Sequence, residues 1–132
     1  MKQLLILLVC FVSFFSCSKY EGQGGSATIK GLVIEQKYNS LGNPIPNGSY
    51  PAPDQDVFII YGAENTFYDD DVKTSFDGSF EFRYLRKGTY KIFVYEDCNS
   101  CPSGKKEVIH KVEITKKNHQ FIMDTIFIKK QL

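Results

Sequence analysis

Two hydrophobic patterns divide the chain. Leu4 to Phe15 is apolar throughout except for Ser13. From Ala27 onward, apolar residues recur at every second position, in short runs broken by Gly, Pro, Asn and Asp. Period-two alternation is the mark of half-buried strands. It predicts strands near 27–37, 56–62, 70–75, 79–85, 89–96, 106–115 and 120–129. No stretch combines a helical period with caps. Seven short strands over about 100 residues predict an all-β fold, a seven-stranded antiparallel Greek-key sandwich of the immunoglobulin-like kind. Residues 18–26 are rich in Gly and Ser and predict a flexible tether.

Side-chain parity refines two elements. Phe80 and Phe82 face the core. A two-residue turn at Asp77-Gly78 would then set Lys73 opposite Phe82 and bury it. A three-residue loop, Phe76-Asp77-Gly78 with Gly78 left-handed, sets Val72 opposite Phe82 and Thr74 opposite Phe80. The three-residue loop is therefore expected. In the next strand Tyr90, Ile92 and Val94 face inward. The alternate positions Phe58, Ile60, Phe93 and Tyr95 give that sheet an apolar outer face, which implies a protein partner or a covering segment. The Pro-rich stretch 38–55, with Leu41, Ile45 and Tyr50, is the expected cover, because a loop that long is either functional or covering.

The apolar run at the N-terminus is too short for a membrane span, about a dozen residues against roughly 20. With Lys2 before it and the small residues Ser16, Cys17 and Ser18 after it, it has the layout of an export signal. Cleavage after Ser18 would make a secreted protein. Cys17 after Ser16 resembles the lipobox of bacterial lipoproteins, of the loose form found in the Bacteroidetes group, with Phe14 and Phe15 where Leu and a small residue are usual. That resemblance implies a signal peptide at 1–16 and a Cys17 carrying a diacylglyceryl group and an amide-linked acyl chain such as palmitate. Two or three chains hold a protein firmly at a membrane, at about 0.8 kcal/mol per buried CH₂. The expected address is the bacterial envelope, at the outer membrane. Glu21 alone, with Lys19 before it, leaves the periplasmic and surface faces both open.

The run Lys73 to Val94 carries a second resemblance. Thr74, Asp77-Gly78, Phe80, Phe82, Leu85, Gly88, Tyr90, Ile92 and Val94 look like the signature of carboxypeptidase regulatory-like domains, which are prealbumin-like (transthyretin-like) sandwiches. Ile29-Lys30-Gly31-Leu32-Val33 matches their opening strand, and Val57 and Ile59 their second. The similarity covers most of residues 27–96 and departs at 38–55, where such domains have a brief link. It implies a sandwich over 27–132. Domains of this type act as stalks, adaptors and binding modules, so the likeness implies fold more than function. The hydroxyisourate hydrolase of the transthyretin-like group needs several His and Arg at one end, and this chain has two His. The related Cna B-type domains carry a Lys–Asn isopeptide bond. Lys30 and Asn118 are the candidates here, but the position of the helper acid is Val94, with Glu96 two further on.

Composition narrows the function classes. Without residues 1–16 the chain keeps 116 residues, enough for a core without metal or many disulfides. Loss of Lys2 brings the basic count down to the 15 acidic residues. That balance supplies no basic footprint for nucleic acid. Eleven Phe and eight Tyr with no Trp suit a β-rich core. Of four Cys, Cys10 leaves with the signal and Cys17 is the acylation candidate, so Cys98 and Cys101 remain.

A disulfide between Cys98 and Cys101 fits an exported protein. Free thiols are the alternative. Thioredoxin-like redox chemistry needs the first Cys at a helix N-terminus, and this one follows a strand. Zinc would need two more ligands, and His110 and His119 do not have finger spacing. Glu64, Asp69, Asp70, Asp71 and Asp77 crowd two loops, making Asp69, Asp71 and Asp77 weak calcium candidates. An acidic edge that deters strand pairing is the commoner use. No catalytic constellation and no cofactor is expected. The leading expectation is a membrane-anchored, non-enzymatic module with a binding, adaptor or scaffold role toward an envelope protein or glycan. The alternatives are a glycan or small-molecule binder through loops 38–55 and 63–71, with Tyr50, Phe67 and Tyr68 as contacts, and a thiol-redox protein using Cys98 and Cys101.

Overall fold

A computed structural model describes residues 20–132. Residues 1–16, expected to be an export signal, and Cys17 lie outside the described residues. Nine strands form two sheets: β1 (Gln23–Tyr38), β2 (Pro44–Pro51), β3 (Asp56–Tyr61), β4 (Asp70–Lys73), β5 (Ser79–Leu85), β6 (Gly88–Asp97), β7 (Lys105–Ile114), β8 (Gln120–Ile122) and β9 (Ile126–Gln131). The second sheet is antiparallel, in the order β4-β3-β6-β7. The first is built around β1. The expected all-β sandwich is observed, with two more strands than the alternation predicts.

β1 is long enough to take two partners along each edge. Its first half pairs antiparallel with β5 and its second half with β2. On the other edge β8 and then β9 run parallel to it. The changeover between β5 and β2 is made at Val33. Its N–H donates to the Gly78 carbonyl at 2.9 Å, and its carbonyl accepts the Ala52 N–H at 3.0 Å. Gly78 has φ +80, and a Cβ there would stand 2.4 Å from the Val33 oxygen, so the turn requires glycine.

The three-residue loop 76–78 forms as expected, closed by Ser75 N–H to Ser79 carbonyl at 2.8 Å. The strands on either side of it part company, which corrects the hairpin expected over 70–85. β4 pairs with β3, and β5 pairs with β1 in the other sheet. The loop is thus a bridge between sheets. Thr74 is buried there, its hydroxyl donating to the Ala52 carbonyl at 2.5 Å and accepting the Gln55 N–H at 2.8 Å.

Between the sheets lie Ile29, Val33, Val57, Ile59, Phe80, Phe82, Tyr90, Ile92, Val94, Val112, Ile114 and Ile126, all buried. The inward parity of Phe80, Phe82, Tyr90, Ile92 and Val94 is as expected. Each such side chain contributes about 1.5–3 kcal/mol, so the alternation itself specifies which face closes.

Three further expectations are corrected. The 38–55 stretch is not a covering loop: its middle, Pro44–Pro51, is β2, an edge strand carrying Pro44, Pro46 and Pro51. Proline removes ladder donors, so it is tolerated at an edge. The strand expected over 120–129 is broken at Met123, whose N–H bonds the Lys30 carbonyl at 2.9 Å. β1 begins at Gln23, so residues 23–26, read as tether, already belong to the domain: Gln23 and Ala27 both pair with Leu85, and residues 24–26 bulge between them.

Candidate functional site

The outer face of the second sheet carries the most suggestive surface. Register sets Phe58 beside Phe93, and Phe93 beside Ile109. The Phe58 and Phe93 rings stack at 5.0 Å, and Tyr95 meets both edge-on, at 5.7 and 5.5 Å. The cover comes from residues 62–69 rather than from 38–55. Tyr68 tilts onto Phe58 at 4.8 Å, and Lys91 holds that loop through the Asn65 carbonyl at 2.5 Å. Leu41, expected to cover this face, is 84% exposed in the turn between β1 and β2.

Next to this aromatic cluster an open cleft of about 520 Å³ is lined by Phe58, Tyr95, Asp56, Asp97, Lys105, Glu107 and neighbouring β9 residues. It exists because β6 outruns β3: Asp56 is the last β3 residue on that side, while β6 continues to Asp97. Two of the three carboxylates in the lining, Asp56 and Asp97, are already engaged. Asp56 binds Lys73 at 2.9 Å and holds that ammonium above its ordinary pKa. Burial pushes the Asp97 carboxyl up, but the Lys105 ammonium at 2.5 Å and the Gln131 N–H at 2.9 Å outweigh it and hold the carboxyl below its usual range. Glu96 likewise accepts the Lys129 N–H at 3.1 Å. Two β6 carboxylates therefore occupy backbone donors on the open edge of β9.

The cleft lies at the end of the sandwich remote from Gly22. Tyr90, near the start of β6, bonds Gly22. Asp97, at the end of β6, bonds Gln131, which pairs with Tyr38 at the far end of β1.

The candidates named from sequence are not brought together. Tyr50 lies on β2 in the first sheet, with the Lys37 ammonium 5.2 Å from its ring centre. Tyr68 joins the Phe58 cluster, while Phe67 beside it is 86% exposed. Cys98 and Cys101 are joined as a disulfide in the turn after β6, not at a helix start. Asp69 accepts the Tyr61 N–H at 2.7 Å, Asp71 lies opposite Phe58, and Asp77 caps Ser79. The Ser79 hydroxyl and N–H hold the Asp77 carboxyl below its usual range. Among the described residues no three His, Cys, Asp or Glu are grouped to hold a metal ion. Lys30 pairs with Glu81 at 3.8 Å, and the Asn118 N–H bonds the Ser26 hydroxyl at 3.1 Å. Sequence reasoning misses Asp97, Lys105 and Glu107, although outward parity with Tyr95 places all three on one face.

No family model matches the chain, and no curated protein does so. Among solved structures the chain is similar to the crystal structure of a putative carbohydrate binding protein from Pseudomonas aeruginosa. The identity is 12% and the TM-score 0.48, over 83% of this chain and 91% of that one.

Proposed function

We propose that this chain is a lipid-anchored, non-catalytic binding module of the carboxypeptidase regulatory-like kind. Its ligand is a saccharide of the bacterial envelope, taken up at the Phe58–Tyr95 cleft. The anchor is Cys17, supported by the n-region, apolar run and small-residue layout of residues 1–17. The observation that carries the binding reading is the cleft itself, with aromatic rings beside charged groups. Pockets of this kind are apolar with a few placed polar groups that set orientation. Aromatic faces pack against the C–H faces of sugar rings, and Glu107 and Lys130 at the rim offer an acceptor and a donor for hydroxyls. The test is a glycan array probed with the protein and two variants. Binding lost in Tyr95→Ala and kept in Tyr50→Ala is the expected result.

A protein partner is the second reading. Ile109 extends the apolar face past the cleft and is 57% exposed. Exposed apolar area rimmed by polar groups also fits a flatter partner. Loss of partner capture in Ile109→Ser, with saccharide binding absent, would favour it.

A further inference from the structure

We propose that the end of the sandwich nearest the anchor contains a second binding site, for the phosphate group of an anionic lipid headgroup. Three observations on the described residues lead there. The first is a pocket of about 460 Å³ lined by Gly24, Gly25, Ser26, Leu85, Arg86, Lys87 and Lys117. It has three cations and no carboxylate in its lining. Among the described residues none of the three is in an ion pair, although five other ion pairs form.

The second observation is how the pocket is made. Leu85 pairs with both Gln23 and Ala27, so residues 24–26 bulge out of β1. A Cβ on Gly25 would stand 2.1 Å from the Leu85 carbonyl oxygen, so only glycine lets the bulge lie this close to the 85–87 turn. The Gly-Gly-Ser sequence, which reads as linker, is a shaped wall.

The third is reach. Gly22 is fixed to the domain through its N–H to the Tyr90 hydroxyl at 3.0 Å and its carbonyl to the Arg86 N–H at 2.8 Å. Cys17 to Gly22 is five Cα steps, about 18 Å when fully extended. This inference rests on the Cys17 anchor proposed above. With that anchor, Gly22 stays within about 18 Å of the lipid, so this end of the sandwich meets the headgroups first, while the Phe58–Tyr95 cleft lies at the opposite end. A lysine near an anionic membrane surface contributes about fivefold in partitioning, and the field fades within a Debye length. Unpaired cations at this end therefore act on the anchored protein's tilt.

The test uses the acylated chain in vesicles of phosphatidylcholine alone or with phosphatidylglycerol. A fluorophore is placed at Lys116→Cys or at Leu41→Cys, and quenching by headgroup-labelled lipid is read. Phosphatidylglycerol is expected to raise quenching several-fold at 116 and not at 41. Lys87→Glu with Lys117→Glu, both exposed, should abolish the rise with the melting temperature unchanged. Equal quenching at both positions, or a rise that survives the double reversal, overturns the proposal. So does quenching unaltered by lipid charge when inorganic phosphate alone protects the pocket, since that marks a site for free phosphate. Failure to float with phosphatidylcholine vesicles refutes the anchor alone. The headgroup site is then read by flotation with phosphatidylglycerol vesicles at low salt, expected for the wild type and lost in the double reversal. Flotation of neither overturns the proposal.

Discussion

The Tyr90 hydroxyl accepts the Gly22 N–H at 3.0 Å and donates to the Arg86 carbonyl at 2.7 Å, linking residues 68 apart in sequence. Burial pushes the phenol's pKa up, so at neutral pH it stays a donor. One side chain thus ties the entry of β1 to the turn before β6.

Tyr90→Phe removes that tie and leaves a buried N–H without a partner. The expected loss is about 1–3 kcal/mol, read as a lower urea midpoint at unchanged m. Hydrogen exchange at Gly22 should quicken more than exchange in β7. Uniform loss of protection would assign the tyrosine a purely global role.

Thr74→Val tests the bridge between the sheets. The shape is nearly kept, but the Ala52 carbonyl and Gln55 N–H both lose their partner. A cost of about 2–3 kcal/mol is expected in the same denaturation experiment. A cost within error of zero would show that water replaces the hydroxyl.

Asp97→Asn should destabilise at neutral pH by about 1–2 kcal/mol, since the carboxylate's hydrogen bonds to Lys105 and Gln131 are charge-assisted. The folded carboxyl titrates below its ordinary value, so its contribution is present above the unfolded pKa. It is lost as pH falls through the folded one. The gap between wild type and variant should therefore close as the solution is acidified below the usual carboxylate range. A gap that widens on acidification would refute this role for Asp97. Asp97→Ala, which leaves no acceptor, also frees the Gln131 N–H on the β9 edge, so a rise in self-association at high concentration is expected for that variant.

Cys98→Ser should leave the fold intact. The disulfide spans only three residues of separation in an edge turn, and so restrains little of the unfolded chain. Collapse to an unfolded protein in circular dichroism would refute this.

The inward alternation of β5 and β6 is legible in the sequence because each strand has one wet and one dry face. β2 is not. Its prolines read as loop, and only its edge position, which no local pattern encodes, makes them tolerable. The hairpin over 70–85 misleads for a related reason. Turn chemistry sets the loop at Gly78, but whether the flanking strands pair with each other or with β3 and β1 is decided by packing far away in sequence. Tyr95 can be placed on an outer face by parity alone. That Asp97, Lys105 and Glu107 share a cleft with it depends on β3 stopping at Asp56, a length difference visible only in the assembled sheet.

Saccharide binding at the Phe58–Tyr95 cleft is tested most directly by titrating the tightest saccharide from the array into wild type, Tyr95→Ala and Tyr50→Ala, with the dissociation constant as readout. At least about a tenfold loss is expected for Tyr95→Ala, about 1.4 kcal/mol, and no change for Tyr50→Ala, with equal melting temperatures. Unchanged affinity in Tyr95→Ala, or loss confined to Tyr50→Ala, would rule the cleft out as the binding site.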